Sequence, residues 1–364
     1  MAVPDVPVYN HAPPTQENLE WADLATVDMS NADTVEGRKA LVKQVHDAIK
    51  NEGFLYVVNH GFTPEQTKRM FDLANYAIEN VNEEEKSHYV GNMREDGSYR
   101  GYKPRKFWHI ANGVRDEIEQ YNMNFRDILN RAHPKPLRPF VAEIDAFTKY
   151  AHFRIFNNLL RIIAMSLGLD EERFVKNHDH SAEAETFLRF VKYFPRPEED
   201  EQKSQNVWLK GHTDLVSLTL LFSQPVSALQ IMTKDGKWKW VKHVENAIVV
   251  NIGDAIEFLS GGYYQSTIHR VRQPPDDQRD YPRVGVIYFV SPHDDVELRP
   301  LIESPLVQQM DLTKMRFAGE KIPFMEEYRK SRVMNYGGLQ PTRAGVRREV
   351  EEENLGGVVV KHYN

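Results

Sequence analysis

The sequence predicts an α+β fold in which a helical front half packs against a jelly roll or barrel of short strands. Three observations carry that expectation. Apolar stripes of helical period run up to about residue 167. The texture then changes near residue 185, and beyond it short strand-like runs follow one another, broken by Gly, Pro, Asp and Ser.

Taken in order, residues 37–51 put Leu41, Val45, Ala48 and Ile49 on one helical face, and Gly53 ends that helix. FLYVVNHG (54–61) reads as a short strand running into a turn. In Thr63-Pro64-Glu65-Gln66, Thr63 can cap, Pro64 suits the first helical position and Gln66 completes a capping box. The helix that follows buries Met70, Leu73, Ala74 and Ala77. A long helical stretch is expected from about Pro139 to Leu167, with Gly168 as its stop. After residue 185 the runs TFLRFVKYF, WLKGHTD, VSLTLLFS, ALQIMT, KWKWV, AIVVNIG, AIEFLS, STIHRV and RVGVIYFV read as strands. Val216, Leu218, Leu220 and Phe222 alternate with polar neighbours, a period of two with one buried face. From Pro323 to about Arg332 the chain turns helical again. The expected organisation is a helical region over 1–175, a jelly roll over 185–300, and a C-terminal helix and tail over 301–364.

A chain of 364 residues can bury a sizeable core, and 27% charged with 41% hydrophobic residues is ordinary for a globular protein. A net charge of -7 without a long Lys/Arg run disfavours nucleic-acid and anionic-membrane partners. No apolar stretch approaches a membrane span, and MAVPDVPVYNHAPP lacks the pattern of a secretory signal, so a cytoplasmic protein is expected. The absence of cysteine excludes disulfides, thiolate metal sites and a Cys nucleophile. Any metal site must then be built from His, Asp and Glu.

His212-Thr213-Asp214 is the leading candidate. In a strand, residues i and i+2 share a side, so an imidazole and a carboxylate would face one space. His269, in STIHRV, offers a third ligand 55 residues beyond Asp214. Two histidines and one carboxylate with open positions suit non-haem Fe(II). The ligands alone also allow a zinc hydrolase. The other polar clusters, His178-Asp179-His180 and His293-Asp294-Asp295, read as solvated connectors. By strand parity Arg283, Gly285, Ile287 and Phe289 share a face. An arginine facing an apolar interior needs an anion, which an internal acid, a bound carboxylate or an escape to solvent would each satisfy.

With these residues in order, most of the chain resembles the isopenicillin N synthase-like group of iron- and 2-oxoglutarate-dependent oxygenases. AIKNEGFLYVVNHGF is similar to that group's N-terminal segment. GHTDLVSLTLLF, ALQIM, WKWV, AIVVNIGDAIEFLSGGYYQSTIHRV and PRVGVIYFVSP are similar to its oxygenase domain. The resemblance implies a double-stranded β-helix core, Fe(II) held by His212, Asp214 and His269 as the catalytic centre, and Arg283 on the distal carboxylate of 2-oxoglutarate. It implies oxidative decarboxylation of that co-substrate by molecular oxygen. Coupled to it is hydroxylation, desaturation or rearrangement of a small organic substrate, by association one of secondary metabolism.

Two departures bear on the co-substrate. The family's serine two residues after the arginine is Gly285, and its Asn-x-Tyr-Pro reads Lys192-Tyr193-Phe194-Pro195. Lys192 is then expected to take the asparagine's place as a cationic co-substrate contact. Some relatives use the arginine for the substrate's own carboxylate, which leaves an iron oxidase without 2-oxoglutarate as an alternative. A non-catalytic jelly-roll binder is another. Gly101 to Arg105, Phe107 and Trp108 fall where relatives contribute substrate-facing residues. Phe222 and Phe289 are candidate pocket walls, and the tail from Thr342 to Asn364 is a candidate cover, surface arm or subunit contact.

Overall fold

A computed structural model describes residues 4–316, 322–335, 350–355 and 358–363. The strands are β1 (Thr26–Asp28), β2 (Phe54–Val58), β3 (Gly101–Lys103), β4 (His109–Ala111), β5 (Val114–Arg115), β6 (Ile118–Asn124), β7 (Phe187–Tyr193) and β8 (Val207–His212). They continue with β9 (Leu218–Phe222), β10 (Leu229–Met232), β11 (Trp238–Trp240), β12 (Ile248–Ile252), β13 (His269–Arg272), β14 (Arg283–Val290), β15 (Val350–Leu355) and β16 (Val358–Tyr363). The helices are α1 (Val35–Glu52), α2 (Pro64–Glu79), α3 (Glu83–Ser87), α4 (Met93–Asp96), α5 (Val141–Tyr150), α6 (Asn157–Ser166), α7 (Glu198–Lys203), α8 (Asp254–Leu259) and α9 (Met325–Asn335). Among the described residues no helix is long and apolar enough to cross a membrane.

Local chemistry explains the helix ends. Gly53 closes α1 in the left-handed region (φ 67°), and Thr63 with Gln66 forms the capping box of α2 around Pro64. The stretch from 139 to 167 is less regular than expected. A 3-10 segment to Phe140 leads into α5, and a π-helical segment (Ala151–Phe156) separates α5 from α6. AIEFLS is not a strand but α8. A short apolar run cannot tell strand from buried helix, and Ala255, Ile256, Phe258 and Leu259 are all buried.

The strands form an eight-stranded sheet, ordered β1-β2-β12-β9-β14-β7-β6-β3, and a six-stranded one, β11-β10-β13-β8-β16-β15. The front half therefore contributes strands as well as helices. Its longest, β6, is buried throughout yet carries Glu119, Gln120, Asn122 and Asn124, which hides it from a reading based on apolar alternation. Glu119 is paired with Lys86, and Asn122 accepts from Arg189. Even-numbered residues of β7, β9 and β14 (Leu188, Phe190, Leu218, Leu220, Val284, Val286, Tyr288) pack against the helices in the main core. Odd-numbered residues of the same strands face the other sheet, and between the sheets lies a cavity. The tail returns as a β15–β16 hairpin whose Tyr363 pairs with Gly211 of β8, so its backbone extends the smaller sheet beside His212. Positions 342–349, 356–357 and 364 of the tail lie outside the described residues.

Inside the helical layer, His152 lies between the Tyr288 hydroxyl (2.9 Å) and the His178 carbonyl (3.1 Å). His178 lies between the Phe174 carbonyl (2.7 Å) and Ser217 Oγ (2.8 Å). Burial pulls His152 down to about 4 and His178 to about 3. Both stay neutral in the fold while the unfolded chain takes up protons near pH 6.5. Stability is therefore intact above pH 6.5 and is lost as pH falls toward 4, by up to about 1.4 kcal/mol per pH unit for each group. Denaturant midpoints between pH 7 and 4.5 should fall accordingly, and His152→Phe with His178→Gln should flatten the slope.

Candidate active site

His212 and His269 meet because β8 and β13 are antiparallel neighbours with these two residues directly opposed. Their ring centroids are 4.5 Å apart. Asp214 lies two residues past the end of β8, in a turn and not in the strand. That turn is pinned to the start of α8: Asp254 N–H donates to the Asp214 carbonyl (2.7 Å) and Gly253 N–H to the Ser217 carbonyl (2.9 Å). Gly253 has to be glycine here, since a Cβ would come within 2.1 Å of the Val216 carbonyl oxygen. Gly253→Ala should displace the turn and lower metal affinity roughly 10–100-fold, the range seen when groups supporting a ligand are lost. Equilibrium dialysis against Fe(II) or Co(II) checks this.

The three side chains present one nitrogen or oxygen each, all within 4.8 Å of one another. Asp214 Oδ1 is 3.7 Å from His212 Nε2 and 3.6 Å from His269 Nε2. Atoms bound about 2.1 Å from one ion would be about 3–3.5 Å apart, so one divalent cation fits with a small inward movement. The orientation suits it too. His212 Nδ1 bonds the Lys210 carbonyl (2.8 Å) and His269 Nδ1 the Thr267 carbonyl (3.1 Å), which turns both Nε2 atoms inward. Asp214 Oδ2 accepts from Thr219 Oγ1 (2.6 Å) and Asn251 Nδ2 (2.9 Å), which leaves Oδ1 facing the histidines. Burial alone would raise the Asp214 carboxyl, but His269 and His212 with those two donors together hold it below the usual range. Burial, then the neighbouring His269, lowers His212 to about 3, so its imidazole is neutral and available as a ligand.

The cavity around this trio spans about 950 Å³ including its open mouth and draws on both sheets. Arg283, Ile287 and Phe289 line it, as strand parity predicts. Arg283 is 4% exposed, its Nε has no hydrogen-bond acceptor, and among the described residues no carboxylate pairs with it. Burial lowers its pKa, opposed by Tyr193 and Tyr9 rather than by any acid. A Cβ at position 285 would come 2.9 Å from Val191 Cγ1, so a serine there would require that side chain to shift.

Lys192 does not face the cavity. It has the parity of Leu188 and Phe190, and its Nζ donates to Asn75 Oδ1 (2.8 Å) and Glu79 Oε1 (2.5 Å) on α2. The expectation of a co-substrate contact there is corrected by strand parity. The residues of β7 that do face inward are Phe187, Arg189 and Tyr193, and sequence reasoning gave the last two no site role because large apolar residues on both faces leave neither marked as the cavity side. Trp108 and Phe289 line the cavity, whereas Phe222 packs against Phe62 and Phe147 on the helix side. Arg332 of α9 also reaches the cavity, and nothing in the sequence marks it out from Arg329, which pairs with Asp294. Of the other clusters, Asp179 and His180 are exposed, but His178 is buried.

Two family descriptions match this chain: the 2OG-Fe(II) oxygenase superfamily over residues 184–292, and the N-terminal region of non-haem dioxygenases in morphine synthesis over 24–139. The chain belongs to the 2OG-Fe(II) oxygenase superfamily and is an oxidoreductase of the non-haem iron dioxygenase type, a family that uses Fe(II) and 2-oxoglutarate. A UPF0676 protein of Schizosaccharomyces pombe is 30% identical over 290 residues, covering 77% of this chain and 85% of its own. 1-Aminocyclopropane-1-carboxylate oxidase 1 of Oryza sativa subsp. japonica is 29% identical, covering 77% and 83%. In fold, a full-length Neurospora crassa protein in complex with alpha-ketoglutarate superposes with a TM-score of 0.72 at 21% identity, over 89% of this chain and 99% of that one.

Proposed function

We propose that His212, Asp214 and His269 hold Fe(II), that Arg283 receives the distal carboxylate of 2-oxoglutarate, and that the enzyme oxidises a small organic metabolite of secondary metabolism in the cytoplasm. One observation carries this reading. A buried guanidinium without an acid partner among the described residues lines the same cavity as a His/Asp/His trio of metal-binding spacing. A buried cation of this kind is costly until an anion meets it, and a carboxylate answers it with two parallel hydrogen bonds. Bound iron would supply oxygen activation and the oxidative decarboxylation of the co-substrate.

The chain's own residues do the rest. The Lys210 and Thr267 carbonyls fix the imidazole tautomers, Thr219 and Asn251 fix the carboxylate, and Arg283 orients the co-substrate. Tyr99, Trp108, Phe187 and Phe289 give the cavity an apolar wall that limits water near the reacting atoms. Anaerobic addition of 2-oxoglutarate to the Fe(II)-loaded protein should produce a visible metal-to-ligand charge-transfer band. Absence of the band, with oxygen still consumed on a substrate, would favour an iron oxidase without 2-oxoglutarate instead, a reading that Gly285 keeps in play.

A further inference from the structure

The cavity has a second cationic end that the co-substrate does not reach. Arg283 pairs across the sheet with Tyr193, and Ile287 pairs with Arg189. Arg189 is therefore four rungs along, about 13 Å at the usual strand rise. A five-carbon dicarboxylate held by Arg283 spans roughly half that distance. Arg189 donates from Nε to Asn122 Oδ1 (2.6 Å) and lies about 5 Å from the ring centres of Tyr99, Phe187 and Phe289.

Arg332 approaches the same region from α9. Its Nη2 donates to the Thr213 carbonyl (2.9 Å), the residue between His212 and Asp214. It is 4% exposed, and among the described residues its Nη1 has no hydrogen-bond acceptor. Asp254 Oδ2 is 3.6 Å from that nitrogen, beyond hydrogen-bond distance. The Asp254 carboxylate is already taken by Arg316 (2.5 Å), Tyr328 (2.5 Å) and Ser266 (2.7 Å). Arg332 is thus partly answered in charge but not in hydrogen bonding, and its side chain contributes to the cavity wall. Tyr99 ties the two arginines together. Burial pushes its hydroxyl up, and Arg189 and Arg332 both draw it back down.

We infer that the substrate is an aromatic or similarly flat apolar monocarboxylate whose carboxylate is received by Arg332, with Arg189 beside it. The inference rests on the proposed oxygenase site and adds the class of its substrate. A cationic side chain short of one hydrogen-bond acceptor, in a wall shared with Tyr99, Trp108, Phe187 and Phe289, suits a negative charge on an apolar body. Arg332 is also close enough to the trio to place such a substrate beside the metal.

The test compares cinnamate and 2-naphthoate with their primary amides, which keep the shape and lose the charge. Anaerobic calorimetry on the full-length protein, with and without Fe(II) and 2-oxoglutarate, reads binding directly. The carboxylates should bind at least tenfold more tightly than the amides. Arg332→Met should reduce that preference to within about twofold while the 2-oxoglutarate band persists, and Arg332→Lys should retain most of it. Equal binding of acid and amide, no binding of either acid, or a preference that survives in Arg332→Met would overturn the inference. Should Arg332→Met not fold, the wild-type comparison and Arg332→Lys still decide. A wild type with the acid preference but no charge-transfer band would instead sink the 2-oxoglutarate reading and leave this one standing.

Discussion

Asp214→Ala is expected to give a folded protein that retains no iron and turns over nothing above background. Asp214 is the one carboxylate of the trio, and its Oδ1 is the atom that both Nε2 atoms approach. Two neutral imidazoles alone hold Fe(II) weakly. Loss of mere supporting contacts costs 10–100-fold in affinity, so loss of the carboxylate should cost more than about 100-fold. The fold loses a comparable amount. Thr219 and Asn251 lose an acceptor, about 1–3 kcal/mol for each buried donor left unsatisfied. Metal analysis after anaerobic loading and dialysis, together with a denaturation curve, separates the two effects. Thr219→Val keeps the carboxylate and removes one of its supports, so it should fall between wild type and Asp214→Ala. Near-wild-type iron content in Asp214→Ala would remove this residue from the centre.

How much of this was legible beforehand depended on whether the signal was local. Thr63 and Gln66 form their capping box within one turn, and the odd-residue face of β14 follows from strand parity alone. The closeness of His212 and Asp214 was legible for nearly the right reason, although Asp214 lies in a turn held on Gly253 rather than in the strand. His269 is different. Its opposition to His212 is a pairing of two strands, which spacing does not encode, so STIHRV marks it as a candidate third ligand without placing it beside His212. Lys192 shows the converse error: the family position implies an inward parity for it, whereas it shares the parity of Leu188 and Phe190 and reaches Glu79. β6 escaped notice because its buried polar side chains find partners only in the folded chain, and α8 because a short buried run has no distinctive period. Arg332 is set by how α9 docks, a long-range fact with no local trace.

Arg283 should show function and stability pulling in opposite directions. In the protein without co-substrate its guanidinium is buried, its Nε lacks an acceptor, and no acid among the described residues neutralises it. Arginine does not escape by losing its proton, so the desolvation cost stands. Methionine has a similar unbranched reach and no charge, and it would lie among Ile287, Leu221 and Leu229 in the same wall. Replacing a poorly compensated buried ion by an apolar side chain of similar size stabilises proteins by about 1–4 kcal/mol. Arg283→Met is therefore expected to unfold at higher denaturant concentration than wild type when both lack iron and 2-oxoglutarate. The same change removes the partner of the co-substrate's distal carboxylate, a loss of about 2–5 kcal/mol in binding, or roughly 30-fold and upward. Iron binding should be untouched, because Arg283 makes no contact with the trio's supporting hydrogen bonds. Saturating 2-oxoglutarate should then stabilise the iron-loaded wild type but barely the variant. A variant that is less stable without ligands would mean that Arg283 already has its anion inside the protein, and the case for a bound carboxylate at that position would fall with it.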